Sequence, residues 1–306
     1  LVLWAPVRNT RHELRIRDGF LITSLFWTVL GIYGALPFAL DKELGLTPTE
    51  AIFESISGLT TTGATVIVGL DSLPASILIY RQILQWMGGI GIVVVAVAVL
   101  PMLGIGGMQL YRAETPGPSK DSRLTPRITE TAKALFTVYL SLTLACAVAY
   151  YAAGMTVFDA IAHSFSTVAI GGFSTHDASM GYFESDTILM ICSVFMLISA
   201  VNFGLHFMVW RRRSLGLYQK DSETNFFLSV LGTGVVITCG YLYFTGTLDA
   251  RESFAHGLFQ AVSITTTTGF ATANIGFAFS AAKIGSTVGS PATSAGTFTG
   301  VMRVSF

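Results

Sequence analysis

Three short stretches of this 306-residue chain combine hydroxyls, small side chains and glycine in a way that suits cation coordination. They are Thr60, Thr61, Thr62 and Gly63; Ala169, Ile170, Gly171 and Gly172; and Thr266, Thr267, Thr268 and Gly269. Four consecutive threonines, 265 to 268, make a poor helix interior because branching at Cβ restricts χ1, and glycine is worse. As a surface loop the same run is short of charge. An extended run of such residues can instead turn its carbonyl oxygens toward one axis and replace a cation's water shell. Threonine adds a hydroxyl acceptor and a stiff backbone. Glycine supplies φ > 0 and leaves no side chain in the way. One such run is a weak signal, whereas three at equivalent places form a pattern.

The equivalence lies in what precedes each run. Segments 48–59, 157–168 and 252–265 each have about 12 residues of helical pattern, too short to cross a bilayer. "EAIFESISGLTTTGAT" (50–65) aligns without gaps with "DAIAHSFSTVAIGGFS" (159–174) and "HGLFQAVSITTTTGFA" (256–271). Gly63, Gly172 and Gly269 then share one column and Ser57, Ser166 and Ser263 another. "TPTE" opens the first helix with a capping Thr47, Pro48 in the first turn and acidic Glu50. Short helices at membrane depth are re-entrant or interfacial, and survive only when buried in protein or lining water. Entering from outside, each points the negative end of its dipole at a common axis. That arrangement points to ion conduction.

The rest of the sequence supplies the membrane. The chain is 52% hydrophobic and 12% charged, with a mean hydropathy of +0.63, whereas soluble domains carry about a quarter charged residues. Five stretches are long and apolar enough to span: roughly 19–40, 76–103, 132–153, 187–210 and 226–246. Gly88, Gly89 and Gly91 in the second read best as close helix packing. Thirteen of the eighteen basic residues fall in 1–18, 104–133 and 211–225, which places those segments on the cytoplasmic side. The segments with the short helices carry acids instead (Asp41, Glu43, Glu50, Asp71, Asp177, Glu184, Asp186) and face out. A net charge of zero gives no field for nucleic acid. Cys146, Cys192 and Cys239 lie in apolar stretches without metal-ligand spacing, so no disulfide framework is implied. The first residues, without Met or a signal-peptide layout, suggest that the chain begins inside a longer protein.

"SGLTTTGAT", "STVAIGGFSTHDAS" and "SITTTTGFATAN", together with "YRQILQWMGGIGIVVVAVAVLPMLGIGGMQLYRAETPGP", resemble the TrkH branch of the Trk/Ktr/HKT potassium-transport superfamily over residues 1 to 274. The resemblance implies an all-α membrane protein of membrane helix–pore helix–membrane helix units around a pseudo-fourfold ion pore. It implies K⁺ uptake across the bacterial inner membrane by a channel-like homodimer, gated by cytoplasmic nucleotide-binding regulatory subunits and bathed in membrane lipid. The twelve residues named first become the selectivity filter, with K⁺ as transported ion and no covalent cofactor. Glycine at 63, rather than serine, is similar to the K⁺-selective members. The units read as a cytoplasmic segment 1–18, a first repeat 19–103, a loop 104–131, a second repeat 132–210, a loop 211–225, a partial third repeat 226–274 and a divergent Gly/Ala/Ser/Thr-rich tail 275–306.

In the tail, neither a second span for the third repeat nor a fourth repeat is recognisable, and "STVGSPAT" (286–293) has no pore helix before it. The chain alone is therefore expected to be an incomplete, non-conducting fragment. A sodium-coupled secondary transporter with re-entrant helices is the alternative. Inverted repeats need an odd number of spans per unit, and here each complete unit has two. No enzymatic motif is present: Ser166, Ser174, His163 and His206 lack a GxSxG elbow or an HExxH pattern. His163 shares a helix position with Glu54 and Gln260, which suggests a polar helix face. Asn202 and His206 read as helix packing or as a water cavity, and "WRRR" (210–213) as an inside anchor or a contact for the regulatory ring.

Overall fold

A computed structural model describes residues 16–102, 124–246 and 249–272; the tail and most of the 104–131 loop lie outside the described residues. Among the described residues the protein is all-α, with no strand. In chain order the helices are α1 (Ile16–Gly34), α2 (Leu36–Leu40), α3 (Pro48–Leu59), α4 (Ala75–Met102), α5 (Leu124–Ala152), α6 (Val157–Val168), α7 (Asp186–Ala200), α8 (Phe203–Arg212), α9 (Gly216–Lys220), α10 (Ser222–Phe244) and α11 (Ala250–Thr265). Two short 3₁₀ turns, Leu70–Ser72 and Ser179–Phe183, lie just past the first and second candidate loops.

The three short helices stand where the sequence pattern puts them, as α3, α6 and α11. The starts of α3 and α6 have local causes. Thr47 and Glu50 form a reciprocal capping box on α3, with the Thr47 amide donating to Glu50 Oε2 at 2.8 Å. Those bonds, the amide first and the hydroxyl second, hold the exposed Glu50 carboxyl below the usual carboxylate range. Thr156 Oγ1 accepts the Asp159 amide to cap α6.

Two of the expected spans are interrupted. The stretch 19–40 divides at Ala35 into α1 and α2, with Pro37 at the start of the second piece. The stretch 187–210, expected as one span, is α7 and α8 set at 89° to each other. Asn202 sets this elbow: its Oδ1 accepts the Gly204 amide at 2.8 Å and caps α8 afresh. His206 on α8 bonds back to the carbonyl of Ile198 and to the Tyr218 hydroxyl, both at 2.7 Å. Its role is therefore to brace the elbow. By length and composition, 132–152 within α5 and all of α10 can each cross a membrane, and α7 with α8 makes a third candidate.

Packing follows a rule that places the functional loops. Within the repeats, α3 packs on α1 and α4, α6 on α5 and α7, and α11 on α10. Across repeats, α4 packs on α6 and α7 on α11, so a repeat's second helix supports the short helix of the next. Close approach is built into α4. A Cβ at Gly88 would lie 1.8 Å from the carbonyl oxygen of Leu59, and one at Gly89 would meet the Tyr139 hydroxyl at 2.6 Å. The helix-packing reading of these glycines is thus the structural one. The larger core joins Tyr139, Tyr150, Met196, Phe259, Val262 and Phe270 from α5, α7, α11 and the third loop. Lipid tails are as apolar as such side chains, so van der Waals fit rather than escape from water carries most of the stability.

Candidate functional site: three convergent loops

The chain leaves α3, α6 and α11 by one route, repeated three times. In the first loop the carbonyl of Ser57 accepts the amides of Thr62 (2.9 Å) and Gly63 (3.5 Å), while Gly58 O accepts that of Thr61 (3.0 Å). In the third, Ser263 O accepts Thr268 and Gly269 (2.9 and 3.3 Å) and Ile264 O accepts Thr267 (3.0 Å). In the second, Ser166 O accepts Gly171 (2.9 Å) and Thr167 O accepts Ile170 (3.1 Å). These are orphan carbonyls of a helix C-terminus, satisfied by the chain that follows.

This geometry corrects one expectation. The runs are not extended: handedness alternates, with positive φ at Thr61 (55°) and Gly63 (76°), Ile170 (54°) and Gly172 (79°), and Thr267 (63°) and Gly269 (86°). For β-branched Thr61, Ile170 and Thr267 this conformation is a genuine outlier. It costs on the order of 1–3 kcal/mol at each and persists because the surrounding bonds over-determine it. The alternation has a use. Every peptide among the described residues is trans, so a carbonyl points opposite to the amide that follows it. With the amides of Thr61, Thr62 and Gly63 turned back to α3, the carbonyls of Thr60, Thr61 and Thr62 point away from it. The other two loops repeat the pattern at Ala169 and Ile170, and at Thr266, Thr267 and Thr268.

The loops also touch. A Cβ placed on Gly63 would lie 2.0 Å from the carbonyl oxygen of Gly171, and one on Gly172 would lie 1.9 Å from that of Thr268. The fourth position of the first and second loops therefore receives the third-position carbonyl of the loop that follows. Gly269 meets nothing within 4 Å among the described residues. Exposure agrees with an arc of three: Ala169 and Gly171 are buried in the middle, while Thr60, Thr62, Thr267 and Gly269 are exposed at its two ends.

Polar side chains fix the chain as it leaves each loop. Glu54, His163 and Gln260 occupy one helix position, and each reaches the segment just past its own loop. Glu54 accepts from Thr65 Oγ1 (2.9 Å) and the Val66 amide (3.0 Å). His163 Nε2 pairs with Ser174 Oγ at 2.9 Å, and Gln260 Nε2 donates to Thr272 Oγ1 at 3.2 Å. His163 is fully buried, so this polar helix face is turned into the protein rather than toward solvent. Beyond the loops, Gly69 donates to Asp177 Oδ1 (3.0 Å) and His176 bonds Asp71, joining the first repeat to the second. Gly181 donates to Ala271 O (3.2 Å), joining the second to the third.

Two α4 side chains were not singled out by sequence. Arg81 is fully buried, bonds Glu54 Oε1 through Nε at 2.8 Å, and donates to Ser174 O and Thr65 Oγ1, both at 3.0 Å. Its guanidinium also lies 4.2 Å from the Phe173 ring centroid. One arginine thereby ties the exits of two loops. Gln85, equally buried, donates from Nε2 to the carbonyl of Gly171 at 2.7 Å. The available signal was charge and amide in an otherwise apolar span, which marks function or a paired network. No cluster of three or more metal-ligating side chains occurs among the described residues. What the arrangement offers a cation is oxygen from backbone carbonyls.

Comparison with known proteins places this geometry. The TrkH family model, described as a cation transport protein, matches residues 1–290, past Asn274 where the resemblance noted above stops. The Trk system potassium uptake protein TrkH of Halomonas elongata is 59% identical over 273 residues, covering 89% of this chain and 57% of that protein. TrkH of Escherichia coli K12 is 58% identical over 275 residues, and the Trk system potassium uptake protein TrkG of the same organism 45% over 269. The crystal structure of the potassium transporter TrkH from Vibrio parahaemolyticus superposes with a TM-score of 0.80 at 54% identity, covering 90% of this chain and 56% of that one. The chain thus spans a little over half the length of the relatives it matches.

Proposed function

Because the chain belongs to the TrkH family of cation transport proteins, we propose that it supplies three filter loops of a K⁺ uptake pathway in the bacterial inner membrane. The observation that carries this reading is the convergence of three backbones with the same alternating handedness, each held by a serine carbonyl at the end of a short helix. Thr60 to Gly63, Ala169 to Gly172 and Thr266 to Gly269 are the filter, and K⁺ is coordinated by their carbonyl oxygens. The negative ends of the α3, α6 and α11 dipoles favour a cation at that point. Shedding water is offset by oxygens already held in place.

The first repeat comprises 19–103, the second 132–210, and 226–274 is the opening part of the third. The arginine-rich segments at 1–18, 104–131 and 211–225 face the cytoplasm, where nucleotide-binding subunits of the Trk system regulate a homodimer. Gly269 faces open space among the described residues, so three loops alone do not enclose an ion. The test is K⁺-limited growth of a bacterium lacking its own K⁺ uptake systems. A chimera joining residues 1–274 to the remaining C-terminal part of the Halomonas elongata relative is expected to rescue growth, and the 306-residue chain alone is not. A well-expressed chimera that carries no K⁺ overturns the reading, as does rescue by the chain alone.

A further inference from the structure

We infer that Gln85 is a specificity-determining strut of the second filter loop, replacing across a repeat boundary the threonine pair that stiffens the first and third loops. The inference rests on the K⁺ reading above. In the first loop the hydroxyls of Thr60 and Thr62 lie 2.8 Å apart, and in the third those of Thr266 and Thr268 lie 2.8 Å apart. Each pair braces a loop from within. The second loop has Ala169 and Gly171 at the same places and no hydroxyl to pair.

The serine column departs at the same repeat. Ser57 Oγ donates to Ala64 O at 2.6 Å and Ser263 Oγ to Phe270 O at 2.7 Å, in each case the carbonyl just past the filter glycine. Ser166 Oγ donates instead to Gln85 Oε1 at 2.7 Å. The same Oε1 accepts the Phe173 amide at 3.2 Å, while Nε2 donates to Gly171 O at 2.7 Å. One buried amide therefore serves the helix end, the third filter position and the exit of the loop.

Steric fit makes the two solutions exclusive. Gly171 has no positive φ, so backbone handedness does not require glycine there. A Cβ at that position would lie 2.4 Å from Cδ of Gln85. Threonine at 171 is compatible with glutamine at 85 only if the Gln85 amide leaves its three bonds. The carbonyl that Gln85 holds is also the one resting against Gly63. Gln85 thus sets an atom shared by two loops, and commits one third-position carbonyl to a protein donor. The coordinating level is chemically unequal from repeat to repeat.

The test uses the chimera described above and reads the K⁺/Na⁺ permeability ratio. Gln85→Met keeps the length of the side chain but removes the donor and the acceptor. Three bonds are lost, of which the one to the Gly171 carbonyl bears on the coordinating level; at about 1 kcal/mol that bond predicts a ratio lower by about fivefold. Gln85→Glu keeps the acceptor for Ser166 and Phe173, and its ionised form removes only the bond to Gly171; it is expected to lose selectivity as well. Adding Ala169→Thr and Gly171→Thr to Gln85→Met rebuilds the threonine pair and should restore the ratio. The same two threonines added beside Gln85 are expected to displace its amide from its three bonds. A K⁺-conducting chimera indifferent to Gln85→Met, or a triple variant no better than Gln85→Met, overturns the strut. Where Gln85→Met reaches the membrane poorly, Gln85→Glu carries the same comparison. A chimera that conducts no K⁺ before any substitution overturns the K⁺ reading instead.

Discussion

Gly63→Ala tests the contact that joins the loops. The new Cβ would stand 2.0 Å from the Gly171 oxygen, and such contacts are not made below 3.0 Å, so the carbonyl must retreat by about 1 Å. The residue must also hold φ near 76°, which costs a side-chain-bearing residue about 1–2 kcal/mol. Overpacking adds about 1–3 kcal/mol, for a total of about 2–5 kcal/mol. Gly269→Ala meets only the first cost, because nothing lies within 4 Å of its Cβ. Gly172→Ala, 1.9 Å from Thr268 O, should resemble Gly63→Ala. The assay is thermal unfolding of the purified 306-residue chain in detergent, with Gly63→Ala and Gly172→Ala well below Gly269→Ala. In the chimera, a fourth loop would bring its own third-position carbonyl to Gly269, and Gly269→Ala should fall to the level of the other two. There Gly63→Ser should also lower the K⁺/Na⁺ permeability ratio. Equal shifts for all three glycines in the 306-residue chain would refute the carbonyl-on-glycine arrangement.

Breaking the buried pair by Arg81→Met or Glu54→Gln alone should destabilise by about 3–5 kcal/mol, whereas Arg81→Met with Glu54→Leu should recover much of the loss; detergent unfolding of the single and double variants checks this. Ser57→Ala and Ser263→Ala each remove a bond to a carbonyl past the filter and should cost about 1 kcal/mol, read the same way. His206→Phe removes the ring's bonds to the Ile198 carbonyl and the Tyr218 hydroxyl, and faster proteolysis after Arg211–Arg213 is the expected result. Glu50 has a lowered pKa in the fold, so its contribution is present above the ordinary carboxylate range and is lost as pH falls through the lowered value. Thr47→Ala should flatten that acid-side loss in a pH series of unfolding temperatures.

The parts of this protein written in local pattern were legible. The capping box, the 12-residue helices and the glycine column placed α3, α6 and all three loops without a structure. Their backbone was not legible, because threonine and isoleucine favour extended φ, and only capture of the amides by the Ser57, Ser166 and Ser263 carbonyls forces Thr61, Ile170 and Thr267 into the left-handed region. The elbow between α7 and α8 was hidden because hydropathy runs on across Val201 and Asn202, although an asparagine there is a capping residue. Arg81 and Gln85 were missed for another reason. Counting arginines by loop assigns orientation, and the bonds of these two side chains span about 90 residues of sequence, as from Arg81 to Ser174 or Gln85 to Gly171.

The contact of Gly63 and of Gly172 with a carbonyl of the following repeat gives the arc a direction. Gly63 has no partner surface until Gly171 has been synthesised, and Gly172 none until Thr268 has emerged more than ninety residues later. In chain order, the flank of the first loop is completed only by the second repeat, and that of the second only by the third. The arc is thus directional, and Gly269 marks the end at which, among the described residues, it is still open.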